Sequence, residues 1–404
     1  MTDAVKFDAT RKGPVDGIRV VDMSRLVAGN MLSLQLADFG ADVIKVEPPE
    51  GDALRHWKDN GKSLHWKVYA RNKRSIVLNT RSADGRDALR KILAKSDVFI
   101  ENFRPGTLEK MGLGPDELLV LNPDLIIVRV SGFGQTGPYA KQPGFGTLVE
   151  AMSGFAARTG FPDREPVLPP LALADMIAGL QGAMATMMAL RARDRGEARG
   201  QVIDLSLLEP IFGVLGPDAL VYRETGEVKE RCGSASNTSA PRNVYKCADG
   251  KYVAMSGSMQ AMAMRIFDVI GRPDMKTDPR FALNADRIRH RDLVDDAVGG
   301  WFAIKPRDEA LAIMTANSVT VGPVYNIDEA VVDPHFIERQ VIIEVEDDEL
   351  GTVPMHNITP RLSGTPGVWR RQAPALGEHT DDVLRWAGYD DAAIADLRRK
   401  EAVV

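Results

Sequence analysis

The chain has 404 residues, 44% of them hydrophobic and 26% charged, with a formal net charge of −5 at pH 7. This is globular composition, enough for about two or three domains, and the absence of a basic run argues against a nucleic-acid footprint. Cys232 and Cys247 have neither metal-ligand spacing nor a disulfide framework, which fits a reducing, cytoplasmic setting. The opening residues carry no apolar signal-peptide core. Gly179, Gln181 and Gly182 interrupt the longest apolar stretch, so no transmembrane run is expected.

In chain order, Gly17–Asp22 reads as a buried strand, Asn30–Phe39 as a helix stopped by Gly40, and Ala41–Glu47 as a second strand. Ser75–Asn79, Asp97–Glu101 and Leu125–Val130 read as further strands, with a helix over Ala83–Ala94. Short β-branched runs separated by helices predict right-handed βαβ units and a parallel sheet. Ligands of such sheets lie at the carboxyl ends of the strands, here the loops Met23–Asn30, Glu47–Asp52, Glu101–Gly106 and Ser131–Pro138. Met176, Leu180, Met184, Met187 and Leu190 recur at helical steps.

After about Glu209 the pattern changes. Arg231–Pro241 is a small, polar loop of the kind that can serve as a lid. Val244–Met255 reads as a hairpin around Asp249-Gly250, and a helical region runs from Met259 to about Val332. Val341–Val353 alternates as a strand, and Asp381–Trp386 and Asp391–Arg399 read as closing helices. The expected architecture is α/β. Residues 1–209 form the N-terminal part of a large Rossmann-like domain, 225–330 a smaller α+β domain, and 340–404 a C-terminal part returning to the large one.

Asp175 stands directly before the Met176 helix. A carboxylate there either caps the helix or meets a ligand at its positive end. Gly132–Gly137 has the G-x-G-x-x-G spacing of a nicotinamide-dinucleotide site, but Pro138, Tyr139 and Pro143 follow it instead of a helix, so a glycine turn is the better reading. Lys73 and Arg74 precede a strand, as a solvated edge or as a phosphate site. No two of the six histidines stand at metal-ligand spacing, and no P-loop or G-x-S-x-G elbow appears.

Nine segments taken in order are more specific than any of these motifs. They are Gly17–Asp22, Phe39–Pro48, Asn72–Ser75, Glu101–Gly106, Ser131–Pro138, Ala151–Gly154, Asp175–Gly179, Gly200–Asp204 and Leu376–Thr380. The set resembles the class III coenzyme A transferases, the CaiB/BaiF family, from about residue 14 to the C-terminus. The resemblance implies a Rossmann-like large domain, a small domain, and two chains interlocked as a homodimer. It implies movement of CoA from an acyl-CoA donor to a carboxylic acid, with no tightly bound cofactor. Asp175 is the implied nucleophile, passing through an aspartyl anhydride and an aspartyl-CoA thioester. A carboxylate is ionised at neutral pH and needs no general base.

The same resemblance places CoA contacts on Val27, Ala28, Asn72, Lys73, Arg74, Asn102, Phe103, Lys110 and Met111, with Lys73, Arg74 and Lys110 at the phosphates. It aligns Ser234–Ser239 with a glycine-rich lid. Pro48, Val27 and Gly146 depart from family residues near the substrate. Phe145 stands where racemases of the family carry a histidine; it cannot take a proton, which favours transfer over racemisation. Arg25 and Arg71 lie near the implied site, as solvated side chains or as partners of a second carboxylate.

Overall fold

The computed structural model describes residues 4–404, so the first three residues of the expected 1–209 span lie outside the described residues. Six short, β-branched segments pair side by side: β1 (Arg19–Asp22), β2 (Asp42–Glu47), β3 (Lys73–Val77), β4 (Val98–Glu101), β5 (Ile126–Ser131) and β6 (Gln201–Ser206). All pairings are parallel, in the order β3-β2-β1-β4-β5-β6. β6 is not among the strands read from the sequence. It is an edge strand with its first half partly exposed, so it lacks the apolar run of a central strand.

The sheet is covered on both faces. Val21, Ile44, Ile76, Phe99 and Ile127 pack against the Ala83–Leu93, Thr380–Ala387 and Asp391–Arg399 helices. Val20, Val43, Val98, Ile126 and Val128 face the Leu26–Asp38 and Leu173–Asp194 helices. The first of these two helices begins at Leu26, not at Asn30. The second begins at Leu173, not after Asp175.

These two helices pack closely because Gly179 and Gly182 lie between them. A Cβ on Gly179 would sit 2.9 Å from the Ala28 carbonyl oxygen, and one on Gly182 would overlap Leu32. The glycines expected to interrupt the apolar stretch therefore create the contact. Contrary to the sequence expectation, the Leu173–Asp194 helix is long and apolar enough to cross a membrane by length and composition, yet one side of it is core of this sheet.

The chain divides into two compact units. The larger takes the chain to Phe155, then Pro169–Gly216 and Gln340–Val404; the smaller takes Ala156–Leu168 and Pro217–Arg339. In the smaller unit β7 (Arg242–Lys246), β8 (Tyr252–Ser256) and β9 (Val321–Pro323) form an antiparallel sheet, with Tyr245, Val253, Phe267, Val298, Phe302 and Met314 at its core. Ala156–Leu168 joins this unit through an Arg158–Asp218 ion pair and through Arg231, which donates to the Ala157 and Phe161 carbonyls. In the larger unit, the single strand expected over Val341–Val353 is a hairpin of β10 (Ile342–Asp347) and β11 (Gly351–His356).

The Ser-rich loop is tied down inside the smaller unit. Asn284 bonds Thr238 and Ala240, Arg291 donates to the Ser236 carbonyl, and Arg287 Nε donates to the Ala240 carbonyl at 2.7 Å.

Candidate active site

The strand order reverses between β1 and β4, and a doubly wound sheet opens a ligand crevice at the carboxyl ends of the strands at such a point. The two loops meeting there are joined through one side chain. Asn102 Oδ1 accepts from the Arg25 N–H at 2.9 Å, and its Nδ2 donates to the Arg25 carbonyl at 2.7 Å. A cavity of about 360 Å³ on this rim is lined by Pro48, Leu78, Thr80, Arg81, Arg86, Lys110 and Met111. A second, of about 150 Å³, is lined by Ala28, Asn102, Gly132, Phe145 and Asp175. Arg25 and Phe103 belong to the walls of both, the guanidinium 5.3 Å from the ring centroid.

Asp175 is the third residue of its helix, and the cap position is Ala172, without a side-chain cap bond. The capping alternative therefore fails. Its carboxylate faces the backbone N–H groups of Asp175 and Ala28. The neighbouring Ala174 N–H is taken at 3.0 Å by Glu150, which is itself buried. Burial, and next the Glu150 carboxylate, push the Asp175 carboxyl up to about 6. Such a group is still ionised above neutral pH, yet more basic and hence a better nucleophile than an exposed aspartate. Gly146 completes the site: a Cβ there would overlap Asp175 Oδ2 and stand 3.7 Å from Glu150 Oε1.

Of the residues expected to contact CoA, Ala28, Asn102, Phe103, Lys110 and Met111 line the two cavities. Four others do not. Val27 is packed among Leu54, Trp66 and Ala70. Asn72 is buried, bonding Asp38 and the Val368 carbonyl. Arg74 is paired with Asp42 at the amino edge of the sheet.

Lys73 is fully buried, with its ammonium 3.0 Å from Asn30 Oδ1 and 3.5 Å from Asp22. It shares Asp22 with Lys45 beneath the crevice. Arg71 is likewise withdrawn, forked onto buried Asp38. Lys73 is thus a structural cation. Lys73→Ala should lower unfolding free energy by about 3–5 kcal/mol, the cost of breaking a buried pair, while the folded fraction keeps its affinity for CoA. Denaturant melts and calorimetric titration check both.

The Gly132–Gly137 turn also spends its donors internally. The Gln135 N–H points at the Asp204 carboxylate at 3.0 Å, and the Gly134 N–H bonds Ser131 Oγ. Gly132 is glycine because Gly144 backbone crosses it; a Cβ would lie 2.6 Å from Gly144 Cα. The site residues that sequence reasoning missed are Arg81, Arg86 and Glu150. Arg81 and Arg86 follow β3, at the carboxyl edge where ligands bind, a position the strand direction already implies.

The doubly wound sheet thus carries the Asp175 carboxylate in a small cavity, beside a larger cavity rimmed by Arg25, Arg81, Arg86 and Lys110. The chain belongs to CoA-transferase family III, whose profile it matches over residues 15–380, and it is a family III CoA-transferase. It is 40% identical to a succinyl-CoA–D-citramalate CoA-transferase of Chloroflexus aurantiacus, covering 96% of this chain and 98% of that one. It is 35% identical to a succinate–glutarate CoA-transferase of Agrobacterium fabrum, over 93% and 96% of the two chains. A CaiB/BaiF family protein from Brucella suis has a crystal structure that superposes with a TM-score of 0.82 at 33% identity, covering 93% of this chain and all of that one.

Proposed function

We propose that the enzyme moves CoA from a dicarboxylic acyl-CoA, succinyl-CoA first, to a second dicarboxylic acid through covalent intermediates on Asp175. The carrying observation is the Asp175 carboxylate itself, raised in basicity and held in a small cavity beside a larger one able to take the CoA nucleotide. The names of the relatives support the substrate class.

An Asp175 oxygen attacks the thioester carbon; the C–S bond breaks, leaving a mixed anhydride and CoA thiolate. The thiolate attacks the aspartyl carbonyl and expels the donor acid as a carboxylate, giving aspartyl-CoA thioester. The acceptor carboxylate then displaces the thiolate to form a second anhydride. Attack by the thiolate on the acceptor carbonyl releases the new acyl-CoA and restores Asp175. No proton need be moved, in keeping with Phe145 on the cavity wall.

The phosphates of CoA are assigned to Arg81, Arg86 and Lys110. Arg81→Gln or Lys110→Gln should each raise the Kd for CoA about tenfold at low salt, with less effect at high salt, read by calorimetry. The exposed apolar side of the Leu173–Asp194 helix, with Leu180, Met184, Met187 and Met188, supports the interlocked homodimer. Ultracentrifugation at nanomolar concentration should show no monomer, and a reversible monomer there contradicts interlocking. A cytoplasmic location is part of the same proposal, supported by the free thiols Cys232 and Cys247. The reaction is tested by screening acyl-CoA donors against carboxylic acids with mass-spectrometric detection of new CoA esters.

A further inference from the structure

We infer that Arg25 is the specificity-determining residue that binds the distal carboxylate of the acyl group, and so selects dicarboxylic over monocarboxylic acyl-CoA. The inference rests on the transferase reading and adds to it the group that reads the substrate. A second carboxylate entering the small cavity meets Asp175, with Glu150 directly behind it. Like charges in a partly buried site repel strongly unless a cation compensates. Among the described residues, the cations lining this cavity are Arg25 and Arg104.

Arg25 is the better placed of the two. Its backbone is clamped on both sides by Asn102, and Leu26, which follows, holds a φ of 62°, so the chain turns sharply there. Its guanidinium lies over Phe103 at the junction of the two cavities. That is where the pantetheine end of CoA must pass its acyl group toward Asp175. Neither Arg25 nor Arg104 has a carboxylate partner among the described residues. Arg25 therefore keeps its planar fork free for a bidentate carboxylate. The nucleotide cavity has Arg81, Arg86 and Lys110 for phosphate.

The test compares succinyl-CoA with butyryl-CoA, which has the same chain length and no distal carboxylate. In the wild type, kcat/KM should favour succinyl-CoA. Arg25→Met should cut it about 10- to 100-fold for succinyl-CoA, the range of a hydrogen bond to a charged group, with a loss for butyryl-CoA at least tenfold smaller and the Kd for free CoA little changed. Arg25→Lys should restore part of the preference. Equal losses with both donors, together with weaker CoA binding, would make Arg25 a CoA contact and overturn the proposal. Loss of the preference in Arg104→Met instead would assign the role to Arg104. Binding of the two thioesters to Asp175→Asn gives a readout without turnover. If the wild type transfers no CoA, the reaction assignment fails, whereas equal affinity of Asp175→Asn for both thioesters overturns the role of Arg25 alone.

Discussion

Asp175→Asn is expected to lower transfer by about four orders of magnitude or more, as removal of a covalent nucleophile does, with CoA affinity retained. The amide keeps the size of the side chain, so the packing around Gly146 and Ala28 is undisturbed. Stability should not fall at pH 8. The folded carboxyl is raised to about 6 from its ordinary 3.8, so its contribution to stability is complete below the unfolded value and is lost as pH rises through the folded one. Above that range the charge opposes folding, and the neutral amide removes the opposition. For the wild type the same shift predicts that kcat/KM falls about tenfold per unit as pH drops below about 6. Thermal melts and a pH–rate profile check these points.

Gly146→Ala carries the second large effect. Gly146 is the first residue of the Gly146–Met152 helix, and its φ is not in the left-handed region. Alanine is therefore acceptable to the backbone, and intrinsically better in a helix than glycine by roughly 1 kcal/mol. The added methyl, however, overlaps Asp175 Oδ2, so the nucleophile must turn aside. A displacement of that order costs about 100-fold in rate. The expected signature is a fall in kcat with the Kd for CoA and the Tm close to wild type, since Gly146 does not line the cavity that holds Arg81 and Lys110. A variant with normal kcat would mean that the carboxylate does not react from the position it holds here.

Much of this was legible in the sequence, and for identifiable reasons. Val20–Asp22, Val43–Val46 and Ile126–Val130 send apolar side chains to both faces of the sheet, so they read as short, mostly β-branched strands even though each carries one buried charge, Asp22, Lys45 or Arg129. β6 does not, because it is an edge. Asp175 could be singled out from its place at a helix start, but not its basicity. That arises from burial first and then from Glu150, a contact between separate helices; neither is recorded by a local pattern. Lys73 and Arg74, read as phosphate ligands, open β3 and line neither cavity: Arg74 pairs with Asp42 at the amino edge, and the Lys73 side chain runs inward to Asp22 at the carboxyl end of β1. Arg81, beyond the end of the same strand, is the cation that reaches the cavity. The assignment of Ala156–Leu168 to the smaller unit depends on pairings such as Arg158 with Asp218, which sequence spacing does not reveal.

The covalent account is tested most directly by trapping. The enzyme is incubated with succinyl-CoA, treated with hydroxylamine, digested and examined by mass spectrometry. Hydroxylamine attacks the activated aspartyl carbonyl, releasing CoA or the acyl carboxylate and leaving a hydroxamate. The account predicts a hydroxamate on Asp175, dependent on the thioester and absent in Asp175→Asn. An unmodified Asp175 under conditions of full turnover, or the label on another carboxylate such as Glu150, contradicts it.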